Sequence, residues 1–327
     1  MTKRRKDTDY LFLSARIRSL EKNLLTAQRL EQLLQAPSAE SCSQLLADLG
    51  YDPIRDEATL QESLKKQREA VFAELERFMP EKELLDVFRI KYDYHNIKVL
   101  LKAPEGAERL LMDAGTIPAG ELQRRYADSG NWQFLPRDMA AAAEKATQLL
   151  AETGSAQRSD CVLDRACFDR LRQLAADSRC DYLQSYVRAM IDAANLRALV
   201  RTERMHMDPG FLREVLFEGG SVPVDTLRAG AGNGAAALFR STALREAAEL
   251  GEAAVKGGSL TAFEKGCDNA VLKTAAGARR VPFGVEVALG YLIAKEAEWT
   301  AVRIVMAGRL AGLSADAIRE RLRDAYV

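Results

Sequence analysis

Aromatic residues make up only 7% of the 327 positions, and only nine are proline. Leu, Ala and long charged side chains take their place, which is the vocabulary of helices and sets aside a large all-β sandwich or barrel. A charge surplus is missing as well: 47 Lys and Arg balance 47 Asp and Glu. A dedicated nucleic-acid binder normally carries a basic excess, so the balance argues against that class. The five cysteines, at 42, 161, 167, 180 and 267, include no Cys-x-x-Cys pair, and their odd count fits reduced cytosolic thiols better than a disulfide framework. No apolar run reaches the roughly 18 residues that a membrane span needs. The best candidate, Val281 to Ala294, is short and holds Glu286.

The start is basic, at Lys3-Arg4-Arg5-Lys6, but only Leu11-Phe12-Leu13 follows before Arg16, so no signal-peptide core is expected. Followed by Asp7 and Asp9, these bases read as a solvated tail; attraction to nucleic acid or anionic lipid, the latter worth about 1 kcal/mol per base, is the alternative. At 47% hydrophobic and 29% charged the chain is otherwise that of a soluble globular protein, long enough for about two or three domains.

Motifs of known chemistry are also missing. Gly230-Ala231-Gly232-Asn233-Gly234 lacks the G-x-G-x-x-G spacing, a preceding strand and a Gly-Lys-Ser/Thr ending, so it reads as an inter-helix linker rather than a phosphate loop. Cys161, Cys167 and Cys180 lack the short paired spacing of a zinc site and read as packed thiols. His95 and His206 lie far apart without an evident Ser or Cys partner, and His95 is expected to be a packing or surface residue. No H-E-x-x-H, G-x-S-x-G or Asp-rich cluster occurs. No catalytic residue, cofactor or metal ligand is assigned.

What is present is helical periodicity. Apolar residues at 13, 17, 20, 24, 27, 30 and 34 predict one long first helix stopped by Pro37-Ser38. Ser41 and Gln44 predict a capping box for a short helix ending at Gly50. A charged helix through Leu60 and Phe78 is interrupted by Pro80, and another is expected from Glu81 to about Lys102. Val285 to Leu289 could pass for a strand on residue type, but the apolar run after it favours helix.

Two markers repeat along the chain. The first is an acid, two residues, Asn, an aliphatic and a base: Asp93, Asn96, Ile97 and Lys98 recur 99 residues later as Asp192, Asn195, Leu196 and Arg197. A weaker third copy has Glu298, Ala301 where the Asn would stand, Val302 and Arg303. The second marker is an apolar helix end meeting a glycine and then a helix-starting proline. It runs Leu110 to Pro118 through Gly115, and 105 residues later Val215 to Pro223 through Gly220. Together they divide the chain into three units of about 100 residues. With Pro/Gly breaks at 104–106 and 208–210, the expected domains are 1–105, 106–210 and 211–327.

Asp93 and Asn96 share a helix face, as residues three apart do. They read as a buried polar clamp on a neighbouring loop or helix end, because a catalytic acid would need no second copy; a binding surface is the alternative.

These residues also carry a resemblance. The Asp93-x-x-Asn96-Ile97-Lys98 helix and its echo, the Gly115–Pro118 and Gly220–Pro223 junctions, and the 308–313 turn before a last helix resemble the C subunit of V-type (A/V-type) ATP synthases and ATPases. That family is related to the d subunit of the eukaryotic vacuolar enzyme. The resemblance implies three similar all-helical domains in a pseudo-threefold funnel. It implies a non-catalytic rotor component, one copy per complex, on the cytoplasmic face of the membrane without spanning it. Its implied partners are the D and F subunits of the central shaft and the membrane proteolipid ring. A helical scaffold for peptides or partner helices outside a rotary motor, and an all-α enzyme, are the alternatives from other classes.

Overall fold

The computed structural model describes residues 6–326, so most of the basic stretch at Lys3-Arg4-Arg5-Lys6 and the terminal Val327 lie outside the described residues. The fold is all-α, as the composition requires, with no strand among the described residues. In chain order the helices are α1 (Leu11–Leu20), α2 (Ala27–Gln35), α3 (Ala39–Ala47), α4 (Glu57–Phe78), α5 (Asp86–Lys102), α6 (Ala119–Ser129), α7 (Arg137–Thr153) and α8 (Ala156–Ser178). There follow α9 (Asp181–Arg204), α10 (Leu212–Val215), α11 (Val224–Ala229), α12 (Ala235–Phe239), α13 (Arg245–Val255), α14 (Leu260–Ala275), α15 (Val285–Leu310) and α16 (Ala315–Arg321).

These helices form two compact units. One joins Met1–Lys82 to Gly230–Val327; the other is Glu83–Ala229. The repeat-bearing segments read from the sequence do not coincide with these units. The Gly-rich stretch at 230–234 joins α11 to α12 at one of the boundaries, in keeping with its reading as a linker.

In the unit made from both chain ends, α15 is the central helix and packs against α1, α3, α4, α14 and α16. Its apolar run is buried on nearly every side, through Val287, Leu289, Leu292, Ile293, Val302 and Met306. This explains why Val281 to Ala294 is the most membrane-like stretch of the sequence: a core helix is apolar all round. Among the described residues, no helix is long and apolar enough to cross a membrane.

In the other unit α8 is the central helix, in contact with α5, α7, α9 and α10. Leu163, Cys167 and Leu171 on α8 are buried, as are Ile97 and Leu100 on α5 and Leu196 on α9. Phe88 and Tyr186 stack with centroids 5.8 Å apart. The buried Trp132 ring stacks on Tyr126 at 4.1 Å, and its indole N–H donates to Thr147 Oγ1 at 3.0 Å.

Three expectations about helix ends are corrected. The single first helix is two: α1 leads into a 3-10 turn at Glu21–Asn23, Leu24 turns extended, and Thr26 caps α2 by accepting from the Arg29 N–H. The apolar spacing runs across this break because both pieces face the same core. The cap of α3 is Ser38, which accepts from the Ser41 N–H, rather than Ser41 itself. After Pro80 the chain makes a 3-10 turn at Lys82–Leu85, so α5 starts at Asp86.

Candidate functional site

The repeated acid and amide lie on the inner faces of long helices, and the loops they hold are the second repeated marker. On α5 the carboxylate of Asp93, wholly buried, accepts from the Thr116 N–H at 3.0 Å, the Thr116 hydroxyl at 2.6 Å and the Ile117 N–H at 3.1 Å. One turn on, Asn96 pairs with the Met112 backbone in both directions, its amide donating to the carbonyl at 2.9 Å and its oxygen accepting from the N–H at 2.8 Å. Backbone groups of a half-exposed turn are thus tied to side chains on the buried face of the helix.

The second copy repeats this in detail. On α9, Asp192 accepts from the Ser221 N–H at 2.7 Å, and Asn195 pairs in both directions with Phe217, each bond 2.8 Å. The two glycines have a common reason. A Cβ on Gly115 would lie 2.1 Å from Asp93 Oδ1, and one on Gly220 would lie 2.4 Å from Asp192 Oδ1. Neither has a left-handed φ. The glycine is therefore there for close approach of the loop to the carboxylate, not to end a helix. The expected helix end is itself absent before Gly115, where Leu111 to Asp113 run as coil and turn. The two markers are two halves of one contact.

The third copy closes with the other end of the chain. Glu298 on α15 accepts from the Leu25 N–H at 2.9 Å and from the Tyr51 hydroxyl at 2.7 Å. Leu25 stands one residue before the cap of α2, as Ile117 and Val222 stand one residue before Pro118 and Pro223. Ala301 stands where the other copies have Asn. Glutamate, one methylene longer than aspartate, spans the gap without a glycine opposite.

Glu298 has a further partner that the repeat does not foretell. Lys295, only 5% exposed, forms a 2.5 Å ion pair with it and lies 5.7 Å from the Tyr51 ring centroid. Spacing of three on one helix was the available signal for Lys295. Nothing local marks Tyr51.

Electrostatics agree with a structural role. Burial pushes the carboxyls of Asp93 and Asp192 above the usual carboxylate range, and the loop N–H and hydroxyl donors oppose this without cancelling it. Burial, and then the Glu298 charge, hold the Tyr51 hydroxyl well above its ordinary value. Burial also pushes the Cys167 thiol up to about 12, so it is unreactive packing.

The three repeated bases differ in exposure. Lys98 reaches Asp164 on α8 at 2.5 Å, Arg197 is half-buried on α9, and Arg303 is exposed on α15. His95 is exposed, with Nε2 3.0 Å from the Leu110 carbonyl. No three His, Cys, Asp or Glu side chains come together as a metal site among the described residues.

Comparison with known proteins bears on what these clamps serve. The family of ATP synthase (C/AC39) subunits matches residues 13–321, a span that includes all three clamps. The chain belongs to the ATP synthase C/AC39 subunit family. Its similarity to individual C/AC39 proteins also runs end to end. It is 25% identical to the C subunit of the V-type sodium ATPase of Enterococcus hirae, over 97% of this chain and 99% of that one. It is 25% identical to the C subunit of the A-type ATP synthase of Methanocaldococcus jannaschii, over 96% of this chain and 86% of that one. The C subunit of the V-type ATP synthase of Thermus thermophilus is 26% identical over 93% of this chain and 94% of its own.

Proposed function

We propose that this protein is a non-catalytic central-stalk component of a rotary V-type or A-type ATPase or ATP synthase. In this reading it is a socket, one copy per complex, that receives the D and F subunits of the shaft and rests on the membrane proteolipid ring at the cytoplasmic face. It couples ATP turnover to proton or sodium movement by transmitting rotation and performs no chemistry itself. The observation that carries the reading is the family match over residues 13–321. The relatives' names, a sodium ATPase in one case and ATP synthases in two others, span motors of both kinds.

The clamps fit a mechanical part. A shaft is narrower than the ring it turns, so an adaptor must widen the contact and resist shear. Interiors packed at crystal density transmit strain with little compression. Asp93, Asn96, Asp192, Asn195 and Glu298, themselves buried, pin loops to long helices, fixing positions that apolar packing alone would leave free to slide. The division into three domains at 105/106 and 210/211, arranged as a pseudo-threefold funnel, belongs to this proposal.

The test is to delete the gene and assay membranes and soluble fractions separately. The expected result is that ATP hydrolysis by the soluble head persists while ATP-driven ion transport is lost, and that the tagged chain co-purifies with shaft and ring proteins. Intact ion pumping without the chain would overturn the reading.

A further inference from the structure

Between α7, α8 and the short α10 runs a groove of about 480 Å³ that the clamps do not explain. Its rim carries Lys145, Arg158, Arg165 and Arg213, against one lining carboxylate, Glu214. Leu149 and Val162 provide an apolar floor, each half-buried. Arg158, Val162 and Arg165 follow one another at four- and three-residue steps, so α8 presents a single stripe to this groove.

Two features keep the groove cationic. Of the four acids on the same helix, Asp160 is paired with Lys102 at 2.9 Å and Asp164 with Lys98 at 2.5 Å, both lysines on α5, while Asp169 and Asp177 do not line the groove. Arg165 is fixed in place, its Nη2 donating to the Arg213 carbonyl at 2.8 Å and the Glu214 carbonyl at 3.1 Å. A guanidinium spent on neutral carbonyls keeps its full charge. Glu214 meets Arg158 at 3.4 Å, a loose pair between partly exposed side chains.

We propose that this groove docks an acidic segment of a partner protein, with an aliphatic side chain on Leu149 and Val162 and flanking carboxylates on the surrounding bases. Charge complementarity selects the occupant, and the apolar floor favours a peptide over a free anion. The inference rests on the assembly role proposed above only for where the partner is sought.

Cys161 provides the probe. It lines the groove and is half-buried, whereas the other four cysteines are buried. A maleimide–diazirine reagent is attached to Cys161 of the full-length chain, which is then added to detergent-solubilised membranes from cells lacking their own copy and irradiated. The expected product is a cross-linked peptide with several Asp or Glu residues around Leu, Ile or Val. The double variant Lys145→Glu/Arg158→Glu should lower its yield about five-fold or more. Its melting midpoint should fall only slightly, since both side chains are exposed and the Arg158–Glu214 pair is a loose surface contact.

A trapped peptide without acidic excess, trapped lipid, no trapped product, or a yield insensitive to the charge reversal overturns the inference. Mass analysis of the same samples separates the two proposals. An acidic peptide trapped with no rotary-ATPase protein recovered would sink the assembly role alone. Those proteins recovered with no acidic peptide trapped would sink the groove alone.

Discussion

A buried carboxylate that holds the amides of a loop is exposed to two kinds of substitution. Asp93→Ala leaves the Thr116 and Ile117 N–H groups without their acceptor in a part-buried turn, at a cost of about 1–3 kcal/mol. Thermal or urea unfolding of the purified variant measures it. The pH dependence of that cost has a definite sign. Because burial raises the Asp93 carboxyl above its unfolded value, the native state binds the proton more tightly. The wild type therefore gains on the Ala variant as pH falls through the folded pKa, and the gain is complete below the unfolded carboxylate range near 3.8. Paired urea titrations across acidic pH test this; a gap that narrows with falling pH would refute it. Glycine gives the complementary residue-scale contrast. Gly115→Ala places a Cβ 2.1 Å from Asp93 Oδ1 and should destabilise by about 1–3 kcal/mol. Gly120→Ala, five residues on in open space on α6, should stabilise by up to about 1 kcal/mol. Opposite shifts in melting midpoint are the expected outcome.

At the scale of elements, the bond from Leu25 to Glu298 explains a helix break that periodicity did not reveal. Apolar spacing reports burial, and Leu13, Ile17, Leu24, Leu30 and Leu34 are buried on both sides of the turn, although Ala27 is exposed. It does not report that one amide in the middle is needed by a carboxylate 273 residues away. The Leu25 amide should thus exchange with solvent slowly although it belongs to no helix, and Glu298→Ala should bring its rate to that of the neighbouring turn. The same variant strands Lys295 without its partner in the core and should cost about 3–5 kcal/mol. The pairing of the markers was likewise only half legible. Asp-x-x-Asn and Gly-x-Ile/Val-Pro were each visible as repeats, because each is local. That they are two sides of one contact was not, since the Gly115 to Asp93 approach is set by tertiary packing.

For the whole molecule, helix content and helix class could be read from composition and spacing, because propensity and amphipathic pattern are summed over long windows. The third repeat was visible only faintly. Its acid is Glu, its amide is Ala301, and its partner loop lies at the opposite end of the chain, so no downstream echo of the glycine marker exists. Residues such as Tyr51 and the bases of the α7–α8 groove carry no sequence signal, since polar helix faces look alike until folding decides which meet. At this scale the purified chain should show no ATP hydrolysis above a heat-inactivated control, and phosphate-release assays measure this directly; turnover removed by no trace contaminant would require an enzyme reading.

The embrace of α15 by the N-terminal helices also orders events on the ribosome. Residues up to Lys82 emerge first, but α15 begins only at Val285, about 200 residues later. At about 5–20 residues per second that is a wait of roughly 10–40 s, during which α1 and α4 lack the α15 surface they pack on. Glu83–Ala229, contiguous in sequence, can fold in that interval. Translation stalled near residue 275 should therefore yield a protease-resistant middle and a digestible segment before it. A cell making this protein must shelter its first helices until its last ones arrive.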